Sequence, residues 1–164
     1  MLSNVYQIAY PNYSDSAIEI LLVEDSPSDV AMTIEALREG RILNRVHVAK
    51  DGELAMAFLR RQPPYGDAPR ADLIILDLNL PKKDGLEVLD EVKTDDDLKT
   101  IPVIVLTTSS ADADILSSYQ LHANSYITKP VGFEPFLAAI RGIEDFWLTL
   151  VRLPKHELSK AQPG

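Results

Sequence analysis

The chain has 164 residues, 46% of them hydrophobic and 25% charged, which suits one domain with a sizeable core and short extensions. A net charge of −9 repels nucleic-acid phosphates and argues against tight binding to them. Cysteine is absent, which excludes disulfides, thiol catalysis and cysteine-based zinc sites; His47, His122 and His156 stand apart without ligand spacing and read as surface or loop residues.

The N-terminal stretch MLSNVYQIAYPNYSDS has no basic start and no continuous apolar run, so it does not read as a signal peptide. The longest apolar runs are far too short to span a membrane. A cytoplasmic protein without membrane association is expected, with a leader over 1–17, one folded unit over 18–150 and a tail over 151–164.

Along the folded unit, three apolar runs are continuous rather than alternating: Ile20-Leu21-Leu22-Val23, Leu73-Ile74-Ile75-Leu76 and Val103-Ile104-Val105-Leu106. Strands buried on both faces read this way, and they belong in a parallel sheet covered by helices. Val46-His47-Val48-Ala49 alternates and suits an outer strand, while Ser125-Tyr126-Ile127-Thr128 is a weaker fifth candidate. Between the runs, helical stripes recur at Val30/Ile34/Leu37, Leu54/Ala55/Phe58, Leu86/Leu89/Val92 and Ile115/Leu116/Tyr119. Ser26-Pro27-Ser28-Asp29 and Asp84-Gly85 supply helix start signals. The order is βα repeated five times, which right-handed crossovers wind into a five-stranded doubly wound parallel sheet with helices on both faces.

Ligands of an open parallel sheet bind beyond the carboxyl ends of its strands. That rule brings together Glu24 and Asp25 after the first run, Asp77 after the third, Thr107 closing the fourth and Lys129 after the fifth. Three clustered carboxylates call for a cation or a raised pKa. Oxygen ligands without histidine or cysteine favour Mg²⁺. Lys129 can pair with a phosphoryl oxygen and Thr107 can donate to one, so an acid in this set is suited to forming an aspartyl phosphate. Taken singly, Asp25 could equally cap a helix, and Lys129 could be an ordinary solvated lysine. Asp77 is harder to dismiss, because a carboxylate closing a buried strand needs partners. The acidic run Asp95-Asp96-Asp97 falls at the opposite sheet end and reads as a solvated loop.

LLVEDS at 21–26, LIILDLNLPKKDGLEVL at 73–89, PVIVLTTS at 102–109 and SYITKP at 125–130 together resemble the receiver domain of two-component response regulators, over about residues 18 to 146. The resemblance implies phosphorylation of Asp77 and Mg²⁺ ligation by Glu24 (often through water), Asp25, Asp77 and the main-chain carbonyl of Asn79. It also implies that Thr107 moves onto the phosphoryl group, that Lys129 pairs with it and that Tyr126 is a rotating aromatic switch. The Lys129–Pro130 bond would be cis. Thr108 departs from the commoner pattern, in which a small residue follows the switch threonine. Further resemblance, in LDLNLPKKDGLEVL, LTTS and IEDFWLTLVRLP at 143–154, is to the stand-alone regulators paired with bacterial phytochromes. It implies a phosphohistidine donor on a light-regulated histidine kinase.

In the last helix, Phe136, Ile140, Ile143, Trp147 and Leu150 form a stripe expected in the core, while Phe133, Leu137, Phe146, Leu148 and Val151 lie partly off it. Surplus apolar surface of this kind marks an interface, here a homodimer using Phe133, Phe146, Trp147 and Leu150, unless the tail or the tyrosines of the leader fold back over it. The resemblance implies the same dimer. Two other functions compete with the switch: a docking or dimerisation module with a receiver fold, and a magnesium-dependent phosphatase. The phosphatase would need an acid two positions after its nucleophile, where Asn79 stands. A flavodoxin-like carrier is opposed by the acids of EDSPSD at its phosphate loop. No residue identifies the downstream protein.

Overall fold

The computed structural model describes residues 5–7, 17–40, 42–151 and 153–154, and of 5–7 and 149–150 the backbone alone. Six strands, β1 (Val5–Gln7), β2 (Ile18–Val23), β3 (Asn44–Ala49), β4 (Leu73–Leu76), β5 (Val103–Thr107) and β6 (Ser125–Thr128), form one sheet in the order β1-β3-β2-β4-β5-β6. Strands β2 to β6 are mutually parallel, as the continuous apolar runs require. Five α-helices alternate with them: α1 (Pro27–Arg38), α2 (Gly52–Leu59), α3 (Gly85–Thr94), α4 (Asp112–Gln120) and α5 (Phe133–Ile143).

Alternation along each strand divides the core. Ile20, Leu22, Leu73, Ile75, Ile104 and Leu106 pack on the face covered by α1 and α5. Leu21, Val23, Ile74, Leu76, Val103 and Val105 pack on the face covered by α2 and α3. The caps read from sequence are formed: Ser26 Oγ accepts from the Asp29 N–H at 3.3 Å, and Asp84 Oδ1 accepts from the Glu87 N–H at 2.9 Å. Asp25 is therefore not the cap.

Strand β1 corrects the sequence reading of the sheet edge. It pairs antiparallel with β3, Val5 opposite His47, so the outer position assigned to β3 is taken by a strand from the leader. His47, expected at the surface, is instead 6% exposed. Its Nε2 lies 2.7 Å from Glu19 Oε2 and its ring centroid 5.0 Å from that of Phe58. The rest of the leader and tail, at positions 1–4, 8–16, 152 and 155–164 with Tyr10, Tyr13 and His156 among them, lies outside the described residues.

The last helix departs from the expected stripe for a geometric reason. After Ile143 it continues as a π-helical segment, Glu144–Leu150. There hydrogen bonds close at i+5, so the buried face passes from Ile143 to Leu148, which is 8% exposed, rather than to Trp147. Leu137, read as off the stripe, is also buried. Trp147 is half-buried and meets Phe146 edge-on, with ring centroids 5.6 Å apart. The Leu150 side chain lies outside the described residues. Helix α4 corrects another stripe: Leu116 and Tyr119 face outward, and Ser118 is its buried residue. Among the described residues, no helix is long and apolar enough to cross a membrane.

Candidate functional site

Main-chain ladders run one residue past the strand ends and fix the rim residues. The Glu24 N–H donates to the Ala49 carbonyl at 3.0 Å, Asp77 N–H to Val23 at 3.0 Å, and Lys129 N–H to Thr107 at 2.7 Å. Because all five strands are parallel, their next side chains converge at one sheet end. Glu24, Asp77, Thr107 and Lys129 are all buried there, while Asp25 is exposed at the mouth.

The Lys129 ammonium sits in the middle of the acids. Its Nζ is 2.5 Å from Glu24 Oε2, 2.8 Å from Asp29 Oδ2 and 3.2 Å from Asp77 Oδ2. Each remaining oxygen of the two buried acids takes a main-chain donor: the Ser26 N–H reaches Glu24 Oε1 at 3.1 Å and the Asn79 N–H reaches Asp77 Oδ1 at 3.2 Å. Burial pushes the Glu24 carboxyl up to about 7; the Lys129 hydrogen bond opposes that rise and the Asp77 charge adds to it. For Lys129 burial disfavours the ammonium, but its bonds to Asp29 and Glu24 and the charges of Glu24 and Asp77 outweigh burial and raise its pKa.

The donor set fits a hard divalent cation. Glu24, Asp25 and Asp77 each offer an oxygen, and the three oxygens lie within 4.8 Å of one another. Thr107 Oγ1 is buried without a hydrogen-bond partner among the described residues, so its hydrogen bond is open to a ligand. Asn79 is exposed, with its N–H on Asp77. Tyr126 is half-buried and its hydroxyl donates to the Ser109 carbonyl at 2.8 Å; Thr128 Oγ1 reaches the same carbonyl at 3.4 Å. Thr108 is exposed beside them. The Lys129–Pro130 bond is trans; the cis bond among the described residues is Pro63–Pro64.

Two residues at this site were not singled out from the sequence as functional. Asp29 reads as an acid in the first turn of a helix, and nothing local tells that its carboxylate crosses to Lys129, 100 positions away. Gly85 reads as a residue after a cap, yet a Cβ there would overlap the Asp77 carbonyl and the Leu78 Cα. The Lys-Asp-Gly signal at 83–85 could have pointed to it.

The family model of the response regulator receiver domain matches residues 20–141. Response regulator Rcp1 of Synechocystis sp. is 50% identical over 135 residues, 82% of this chain and 92% of that protein. A crystal structure of the Mn(2+)-bound form of Rcp1 superposes with a TM-score of 0.82 at 49% identity, covering 84% of this chain and 99% of that one. A structure of the phosphorylated cyanobacterial phytochrome response regulator RcpA gives a TM-score of 0.83 at 48% identity, covering 85% and 100%.

Proposed function

Because the chain belongs to the response regulator receiver domain family, we propose that Asp77 accepts a phosphoryl group from a phosphohistidine and that the domain is switched by it. The observation that carries this reading is the buried meeting of Asp77 with Lys129 at 3.2 Å, beside the orphaned hydroxyl of Thr107. In the transfer an Asp77 carboxylate oxygen bonds to phosphorus as the P–N bond of the phosphohistidine breaks, and the imidazole leaves with the electron pair. Lys129 neutralises the phosphoryl oxygens, and Thr107 donates a hydrogen bond to one of them. Glu24, Asp25, Asp77 and the Asn79 carbonyl would hold Mg²⁺, which when bound supplies further charge neutralisation. Tyr126 is the aromatic group that responds to Thr107.

The donor we assign is a phytochrome-type histidine kinase, a reading supported by the likeness to Rcp1 and RcpA. Residues 18–150 form the receiver unit, with β1 added at its sheet edge, and the protein works in the cytoplasm through contact with a further protein. It pairs with a second copy of itself. Leu116, Tyr119, Val131, Phe133 and Phe146 are exposed, and all belong to the segments before and after the edge strand β6, which is the chemistry of an apolar interface. A monomeric mass by light scattering far above micromolar concentration would overturn the dimer.

Intact mass after incubation with acetyl phosphate and Mg²⁺ tests the main reading. One phosphoryl group should be gained by the wild type and not by Asp77→Asn. Equal incorporation by Asp77→Asn would assign the phosphate elsewhere.

A further inference from the structure

An ammonium group has three N–H donors, and Lys129 gives one each to Glu24, Asp77 and Asp29. The first two carboxylates belong to the candidate cation site; the Asp29 carboxylate is not part of that oxygen cluster. Nor does helix α1 need this side chain for its hydrogen bonds. The Asp29 main chain serves the helix, its N–H donating to Ser26 Oγ and its carbonyl accepting from Thr33 Oγ1 at 2.7 Å. Its carboxylate, 22% exposed, points to Lys129, which is 5% exposed.

We propose that Asp29 is a positioning residue: it anchors the Lys129 ammonium on the α1 side of the pocket and so limits the claim of Lys129 on Glu24 and Asp77. Two charges compete for those carboxylates, the ammonium and a divalent cation. With Asp29 in place, one Lys129 donor is held outside the cation cluster. Without it, the ammonium leans fully onto Glu24 and Asp77, and the cation must displace it at greater cost. The inference rests on the phosphoacceptor reading for its purpose. Its geometry and its test stand apart from that reading.

The test is Mg²⁺ affinity by calorimetry, with no phosphodonor present, in a double-mutant cycle of Asp29→Asn with Lys129→Met. Asp29→Asn keeps both main-chain bonds of the helix start. It should weaken Mg²⁺ binding by roughly threefold to tenfold where Lys129 is present and by clearly less in the Lys129→Met background. Asp29→Glu, which keeps the charge, should recover most of the affinity. Equal weakening in both backgrounds would mean that Asp29 acts only as a distant negative charge and would overturn the proposal, as would no weakening at all. Lys129→Gln gives a second neutral background should Lys129→Met fail to fold. If the phosphoacceptor reading itself is wrong, the wild type gains no phosphoryl mass, while the outcome of the cycle can still be read.

Discussion

The hydroxyl of Tyr126 donates to the main-chain carbonyl of Ser109 at 2.8 Å and ties the edge strand β6 to the loop that follows Thr107. Thr128, two residues on and therefore on the same face of β6, reaches the same carbonyl at 3.4 Å. Ser109 in turn donates through its own hydroxyl to Asp114 Oδ2 at 2.5 Å, so the loop is held to both β6 and α4. Tyr126→Phe removes the shorter of the two donors and should cost about 1 kcal/mol. Amide hydrogen exchange across residues 108–114 should accelerate in that variant. Unaltered exchange would mean that Thr128 and the contacts with α4 hold the loop without the tyrosine hydroxyl.

Glu24 gives the site a pH dependence. Burial raises its carboxyl to about 7, from a value near 4.5 in the unfolded chain. Between those two values the folded, metal-free protein keeps a proton that the unfolded chain has lost. The contribution of Glu24 to stability therefore declines as pH rises through that window. A cation ligated by Glu24 must displace the proton. Mg²⁺ affinity should thus rise about tenfold from pH 6 to pH 8 and flatten above. Calorimetry in buffers of different ionisation enthalpy at pH 6 should report release of close to one proton; pH-independent binding would mean that the cation displaces no proton from Glu24.

The sequence made the site legible because its members close strands. A carboxylate after LIIL has no use in a buried sheet unless partners meet it, and parallel pairing carries Glu24, Asp77, Thr107 and Lys129 to the same end. Pairing in space was harder to read. Strand β1 is three residues whose place comes from the free edge of β3, a partner some forty positions on, and no local periodicity announces it. His47 became a buried residue because Glu19 of β2 and Phe58 of α2 pack against it. The stripe of α4 obeys helical spacing yet faces outward, since periodicity shows that a face exists and not what covers it. Asp29 was legible as a helix-start acid while its carboxylate went to a different element.

The change of helical pitch at Glu144 predicts which residues at the end of the chain carry stability. Leu148 is in the core with Phe136, Ile140 and Ile143, so Leu148→Ala should cost about 2–5 kcal/mol. Phe146 is 53% exposed, and Phe146→Ala should stay within about 0.5 kcal/mol at concentrations where the protein is monomeric. Thermal melts of the two variants compare them directly. The reverse order would show that the α-helical phase, not the π phase, continues past Ile143.

Gly85 predicts the sharpest link between packing and the site. It begins α3, and its N–H donates to the Leu78 carbonyl at 3.0 Å, drawing the loop after Asp77 tight against the helix start. A methyl group at this position would overlap main-chain atoms of Asp77 and Leu78, which cannot swing aside as the end of a flexible side chain could. Gly85→Ala must therefore push back the backbone that carries the proposed phosphoacceptor. It should cost about 1–3 kcal/mol of stability and weaken both Mg²⁺ binding and phosphoryl uptake from acetyl phosphate. Gly66 is the control, since a Cβ there meets nothing within 4 Å and Gly66→Ala should leave both unchanged. If Gly85→Ala took up phosphate at the wild-type rate, Asp77 would not depend on the close approach of α3, and the tight turn between them would serve folding alone.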